Sequence, residues 1–175
     1  LPSQVAGEVP EFDLSTYIDR KEARRMDRFT HLAVTAAGEA IGQSGIDLEK
    51  DRDQIGCMIG SGIGGLETID DTAKTLDKQG PRRVSPFFIP ASLINLASGQ
   101  VSIRHGFKGP NHAPVTACAT GAHAIGDAAR LIKYGDADVM VAGGAESALC
   151  RLGIAGFAAM KALSTGYNDT PERAS

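Results

Sequence analysis

The residue of this chain best suited to chemistry is Cys118, in Val115-Thr116-Ala117-Cys118-Ala119-Thr120-Gly121. An apolar run leads into it and an Ala/Gly-rich helical pattern leaves it, so the thiol is expected where a strand meets the first turn of a helix. Free backbone N–H groups and the positive end of the helix dipole at such a junction favour the thiolate, and a thiolate is a competent nucleophile at neutral pH. The position also suits a small buried cysteine that packs like alanine. Residue type and position leave both readings open.

A proton carrier for this thiol is not legible nearby. The histidines are His31, His105, His112 and His123. His123 follows Cys118 by five residues on the same predicted helix; at about 100° per residue it faces well away from the thiol and reads as a packing or surface residue. His112 lies in a loop upstream, and spacing alone does not bring it closer. Cys57 and Cys150 sit in apolar or mixed segments and read as structural. The three cysteines form neither a CxxC pair nor a disulfide framework, and no metal-ligand spacing emerges. Thiols of this kind fit a reducing, cytoplasmic compartment.

Gly60-Ser61-Gly62-Ile63-Gly64-Gly65 satisfies G-x-G-x-x-G between a strand and a helix, nominally a dinucleotide fingerprint. That fingerprint also requires a second strand ending in an acidic residue about 20 positions on. Here the corresponding region, 74–83, reads as helical and then basic. A tight packing turn or pocket wall is the expectation, and no cofactor or metal is implied.

The elements that must position Cys118 follow from the apolar pattern. Phe29, Leu32, Ala33, Ala36, Ala37, Ala40 and Ile41 recur at helical spacing, with an end near Gly42 or Gly45. Residues 54–60 read as a buried strand, 66–79 as an amphipathic helix, and 82–90 as a proline-punctuated loop. A helix is expected over 91–107, a strand over 113–117, a helix over 119–134 and a strand over 138–144. Strands without alternation, separated by helices, imply an α/β fold with a parallel sheet covered on both faces.

The chain has 175 residues and a net charge of −3, enough for one domain or part of a larger one. Its mixed charge lacks the basic footprint of a nucleic-acid binder. No apolar run is long enough to span a bilayer, and the opening residues lack the regions of a signal peptide. The polar tail 161–175 and the loop-like head read as the edges of a fragment of a larger α/β domain.

These pieces together resemble an elongating β-ketoacyl-[acyl-carrier-protein] synthase of the type II class, in the thiolase superfamily. The resemblance rests on the glycine turn at 60–65, Ser85-Pro86-Phe87-Phe88-Ile89-Pro90, and Thr116-Ala117-Cys118-Ala119-Thr120-Gly121. It continues through Gly135 to Glu146, Gly156-Phe157 and Ala162-Leu163-Ser164-Thr165. It implies the N-terminal half of a thiolase-like layered α/β/α fold, incomplete at both ends, in a homodimer. It implies decarboxylative Claisen condensation of an acyl thioester with malonyl-acyl carrier protein. Cys118 matches the nucleophile, with its own N–H as one oxyanion donor.

Ile63, Ala148, Gly153 and Phe157 match the acyl pocket, and Phe88 matches a tunnel residue reaching across the dimer. Lys21, Arg24, Arg25 and Lys161 match or adjoin the surface that docks the acyl carrier protein; a basic patch suits an acidic carrier. The family's two catalytic histidines, its lysine and its phenylalanine gate belong to a second half not represented here. The readings weighed against this one are a polyketide ketosynthase, a non-catalytic partner subunit, which would lack the nucleophile, and an inert fragment.

Overall fold

The structure is a computed structural model that describes residues 1–48 and 52–174; Ser175, the end of the polar tail, lies outside them. Short helix α1 (Arg20–Ala23) leads into α2 (Arg28–Ser44), followed by β1 (Ile55–Gly60) and α3 (Leu66–Gln79). Helices α4 (Phe88–Ser92) and α5 (Leu96–His105) then precede β2 (Asn111–His112), α6 (Thr120–Tyr134), β3 (Val139–Gly144) and α7 (Arg151–Ala159). The strands form a parallel sheet in the order β2-β1-β3. Register runs from Ile55 opposite Val139 to Gly60 opposite Gly144.

Alternation along β1 divides the core in two. Ile55, Cys57 and Ile59 face α2 and α5, where they pack with Phe29, Ala33, Val34, Ala97 and Val101. Met58 faces the other way, onto Ala124 and Ala128 of α6, with Met140 and Ala142 beside it. Helices therefore cover both faces, as the unbroken apolar strands require.

Helix α2 starts where Asp27 caps it, accepting from the Phe29 N–H at 3.3 Å. The same carboxylate takes the Thr68 N–H at 3.1 Å and its hydroxyl at 2.6 Å, tying α3 to α2. Gly45, at φ 69°, closes α2. Arg104 on α5 anchors the N-terminal segment by donating to the Tyr17 carbonyl and pairing with Glu22. The head meets the tail through Asn168, whose side chain bonds the Gln4 N–H at 2.9 Å and the Pro2 carbonyl at 3.0 Å.

Three sequence expectations change. The strand before the thiol is Asn111–His112 instead of 113–117. Pro114 has no N–H to give a ladder, and its carbonyl instead abuts Gly60 at the end of β1. The helix expected over 91–107 is two helices, because Leu93 turns extended at ψ 129°. The break is where the glycine turn docks: Gly65 N–H bonds the Ser92 carbonyl at 3.3 Å, and a Cβ on Gly64 would lie 2.5 Å from Ile94. The segment 82–90 holds a 3-10 turn over Pro81–Arg83 and the start of α4. Helix α7 has no counterpart in the sequence reading. Its N-cap is Cys150, whose Sγ accepts from the Gly153 N–H at 3.4 Å, in keeping with a structural cysteine.

Candidate functional site: a thiol at the ends of the parallel strands

In a parallel α/β sheet the strand C-termini and the following helix N-termini converge on one edge. Here the ends of β1 and β3 meet the start of α6 around a cavity of about 450 Å³. Cys118, Ile63, Ala148 and Phe157 all line it, together with Ser61 and Glu146. The structure thus gathers four of the expected site residues from segments up to 94 positions apart, from Ile63 to Phe157.

Cys118 is exposed and free, in a 3-10 turn over Ala117–Ala119 that runs directly into α6. The turn is fixed from inside. Buried Thr120 accepts the Thr116 N–H at 2.9 Å on its hydroxyl and donates to the Ala117 carbonyl at 2.8 Å. His123 reaches back seven residues to bond the Thr116 hydroxyl. Ala117 is held at φ 52°, a left-handed conformation that costs a non-glycine residue about 1–2 kcal/mol. The Ala119 and Thr120 N–H groups are used within the turn, on the Thr116 and Ala117 carbonyls. The 15-residue helix behind the thiol points its positive end at it.

Absent side chains let the turn come this close to the sheet. A Cβ on Gly60 would meet the Pro114 carbonyl and, at 2.5 Å, Thr120 Cγ2. Gly144 and Gly121 pack backbone to backbone; a Cβ on Gly144 would lie 3.0 Å from the Gly121 Cα. The glycines of the 60–65 turn are likewise packed against protein atoms, as expected of a pocket wall.

Of the cavity residues given no role in the sequence reading, Glu146 makes the most side-chain contacts to distant segments. Glu146, just past β3, accepts from the Ser61 hydroxyl at 3.0 Å, the Ser147 N–H at 3.3 Å and the Ile63 N–H at 2.8 Å. These contacts join positions 83 and 85 residues apart, which no local pattern announces.

The remaining expected residues lie elsewhere. Gly153 is buried in α7 against the Ala148 carbonyl, where a side chain would not fit; it backs the cavity without lining it. Phe88 opens α4, half-buried, and does not line this cavity. Lys21 and Arg24 are exposed on and just after α1. The Arg25 guanidinium lies 4.3 Å from the centre of the Phe87 ring, which joins the basic segment to the loop before Phe88. Lys161 occupies the left-handed position closing α7, at φ 58°; its N–H bonds Ala158 and that of Ala162 bonds Phe157, a Schellman closure.

His112 lies on β2 beside a different cleft, with Asp127, Arg130 and Tyr134. Neither it nor His123 lines the thiol cavity. Among the described residues, no group of three or more His, Cys, Asp or Glu side chains is arranged to hold a metal. No helix among them is long and apolar enough to cross a membrane.

A parallel α/β sheet with a cysteine turn at its strand ends is the framework of the condensing enzymes, and comparison with known proteins agrees. The family of β-ketoacyl synthase N-terminal domains matches residues 1–175, and the chain belongs to it. It is 58% identical over 184 residues to 3-oxoacyl-[acyl-carrier-protein] synthase 2 of Rhizobium meliloti (strain 1021), covering 100% of this chain and 44% of that protein. It is 53% identical over 171 residues to the protein of the same name from Staphylococcus aureus, covering 97% of this chain and 42% of the other.

Among solved structures, a β-ketoacyl synthase from Burkholderia phymatum STM815 superposes with a TM-score of 0.79 at 31% identity, covering 93% of this chain and 40% of that one. A type II PKS ketosynthase in complex with its acyl-carrier protein gives 0.77 at 28% identity, covering 85% of this chain and 43% of that one. The fold is thus the thiolase-like ketosynthase fold, and the chain spans less than half the length of these relatives.

Proposed function

We propose that this chain is the acyl-loading part of a 3-oxoacyl-[acyl-carrier-protein] synthase that elongates fatty acyl chains. The observation that carries the reading is an exposed thiol at the head of a helix, on the wall of a cavity bordered by Ile63, Ala148 and Phe157. In this reading the Cys118 thiolate attacks the carbonyl carbon of an acyl-carrier thioester. The carrier thiolate leaves, and the acyl chain remains on Cys118 with its tail in the cavity. The Cys118 N–H is one donor to the developing oxyanion.

Malonyl-acyl carrier protein then loses carbon dioxide, and the electrons of the broken C–C bond remain on the adjacent carbon. That carbon attacks the Cys118 thioester, expelling the thiolate and leaving a 3-oxoacyl carrier thioester. His112 and His123 take no part in these steps, since neither lines the cavity. Identities of 53–58% to the fatty-acid enzymes, against 28% to the polyketide ketosynthase, favour the fatty-acid reading.

Gly153 backs the acyl pocket, and Phe88 completes it across a homodimer. Lys21, Arg24, Arg25 and Lys161 receive the acidic carrier, which the exposure of Lys21, Arg24 and Lys161 supports. The working compartment is the cytoplasm. Residues 1–175 form part of one condensing-enzyme domain. The test is the intact mass of the full-length polypeptide after incubation with a long-chain acyl-carrier protein. One acyl adduct, abolished by Cys118→Ala, is expected. No adduct on the wild type, or an undiminished one on the variant, overturns the assignment.

A further inference from the structure

Glu146 stands at the crossing of three segments: its own, past β3, the glycine turn and the cysteine turn. Its Oε2 holds the Ile63 N–H at 2.8 Å, and its Oε1 holds the Ser61 hydroxyl at 3.0 Å. The Ser61 hydroxyl, buried, in turn accepts the Gly64 N–H at 3.0 Å, so the carboxylate and one hydroxyl together fix the turn on both sides of Ile63. Beneath the carboxylate, Gly62 is wedged: a Cβ there would lie 2.9 Å from Glu146 Oε2 and 3.2 Å from the Ala117 carbonyl. Ala117 is the strained residue just before the thiol. The carboxylate therefore presses the glycine turn against the cysteine turn, with no side chain between them.

We propose that Glu146 is a positioning residue that latches the 61–64 turn and thereby sets how readily Ile63 gives way to an acyl chain, so that the latch tunes chain-length preference. The inference rests on the acyl-loading reading above. Two acceptor oxygens serve three donors, Ser61 and Ser147 on Oε1 and Ile63 on Oε2. Glutamine retains only one such oxygen, its amide nitrogen being a donor, and alanine retains none. With the latch cut, the backbone at Ile63 is freed to move, and chains that must displace this side chain gain relative to those that need not. Glu146 acts only through Ile63, so its influence vanishes once that side chain is gone.

The experiment measures acyl loading on Cys118 by intact mass in the full-length polypeptide, with hexanoyl- and hexadecanoyl-carrier protein in competition. In Glu146→Ala the long-to-short ratio is expected to rise about threefold or more, the scale of one net hydrogen bond, with Glu146→Gln intermediate. In an Ile63→Ala background, adding Glu146→Ala leaves the ratio unchanged. An equal fall for both lengths, or the same rise in the Ile63→Ala background, overturns the latch. Ser61→Ala, which removes one arm of the latch and leaves the carboxylate, gives a smaller rise and serves if Glu146→Ala does not fold; an unchanged ratio there also counts against the proposal. Failure of the underlying reading looks different: wild-type Cys118 then gains no acyl group of either length.

Discussion

On one face of the sheet, α2 and α5 close over Ile55, Cys57 and Ile59 to form a cluster of twelve buried residues that includes Phe29, Val34 and Val101. On the other, α6 lies over Met58 in a buried apolar cluster that, among the described residues, adds Ala124 and Ala128. That second helix leaves Ile125 60% exposed, Ile132 43% and Tyr134 69%. The thick face carries most of the apolar burial, whereas the thin face carries the thiol, since α6 grows out of the cysteine turn. Burial is the main stabilising term, so the two tasks are mounted on opposite sides of a shared strand. They meet where β1 ends at Gly60.

The comparison is most open to attack at its thick side. Phe29→Ala removes a fully buried ring between α2 and the sheet and is expected to cost about 3–5 kcal/mol in urea unfolding. That is a large share of the roughly 5–15 kcal/mol that holds a domain together. A loss below about 1 kcal/mol would mean that the twelve-residue cluster does not carry the fold.

The second test uses Cys57, in the same cluster. Burial pushes its thiol up from 9.0 to about 12, opposed in part by a hydrogen bond with Ser102. A raised folded-state value means that this contribution is whole below pH 9 and is lost as pH climbs from there towards 12, because the unfolded chain ionises first. The loss amounts to at most about 4 kcal/mol. Comparing alkaline unfolding of the wild type with Cys57→Ala isolates it; identical pH dependence would show that Cys57 is not sealed.

The smallest effect belongs to the thin side. Ile125→Ser is expected to change the unfolding free energy of this chain by less than about 0.5 kcal/mol. A larger loss would mean that α6 is covered as α2 is, and that the contrast between the faces is false.

Much of this architecture is legible locally. The amphipathic repeat of α3 gives its bounds, Leu66–Gln79, and Gly45 marks the end of α2 by its left-handed conformation. Strands β1 and β3 stand out because each is a continuous apolar run bounded by glycine. The helix after the thiol is legible, but the strand expected directly before it ends at His112, six residues short of Cys118.

What sequence spacing misses is decided by partners far along the chain. Strand β2 is only as long as its pairing with Cys57 and Met58. The α4–α5 break is hidden because Leu93, Ile94, Leu96 and Ala97 keep a helical rhythm across it, while the glycine turn docks on the kink. Glu146 sits inside a recognised motif, yet its work is done on Ser61 and Ile63, more than 80 positions away. Family resemblance supplied Ile63, Ala148 and Phe157 for the pocket, where propensity and period are silent.

The backbone contacts among Gly60, Gly62, Gly121, Gly144 and the cysteine turn bear on how this protein can be altered by design. At Gly60 and Gly62 there is no slack for even a methyl group, so a side chain added there shifts the Cys118 thiol relative to its cavity wall before it disrupts the core on the opposite face. Folding screens would pass such variants although the geometry around the thiol had already changed. A campaign for thermal robustness should therefore diversify the outer surface of α3 and leave the glycine seam untouched, because there fitness and foldedness report on different things.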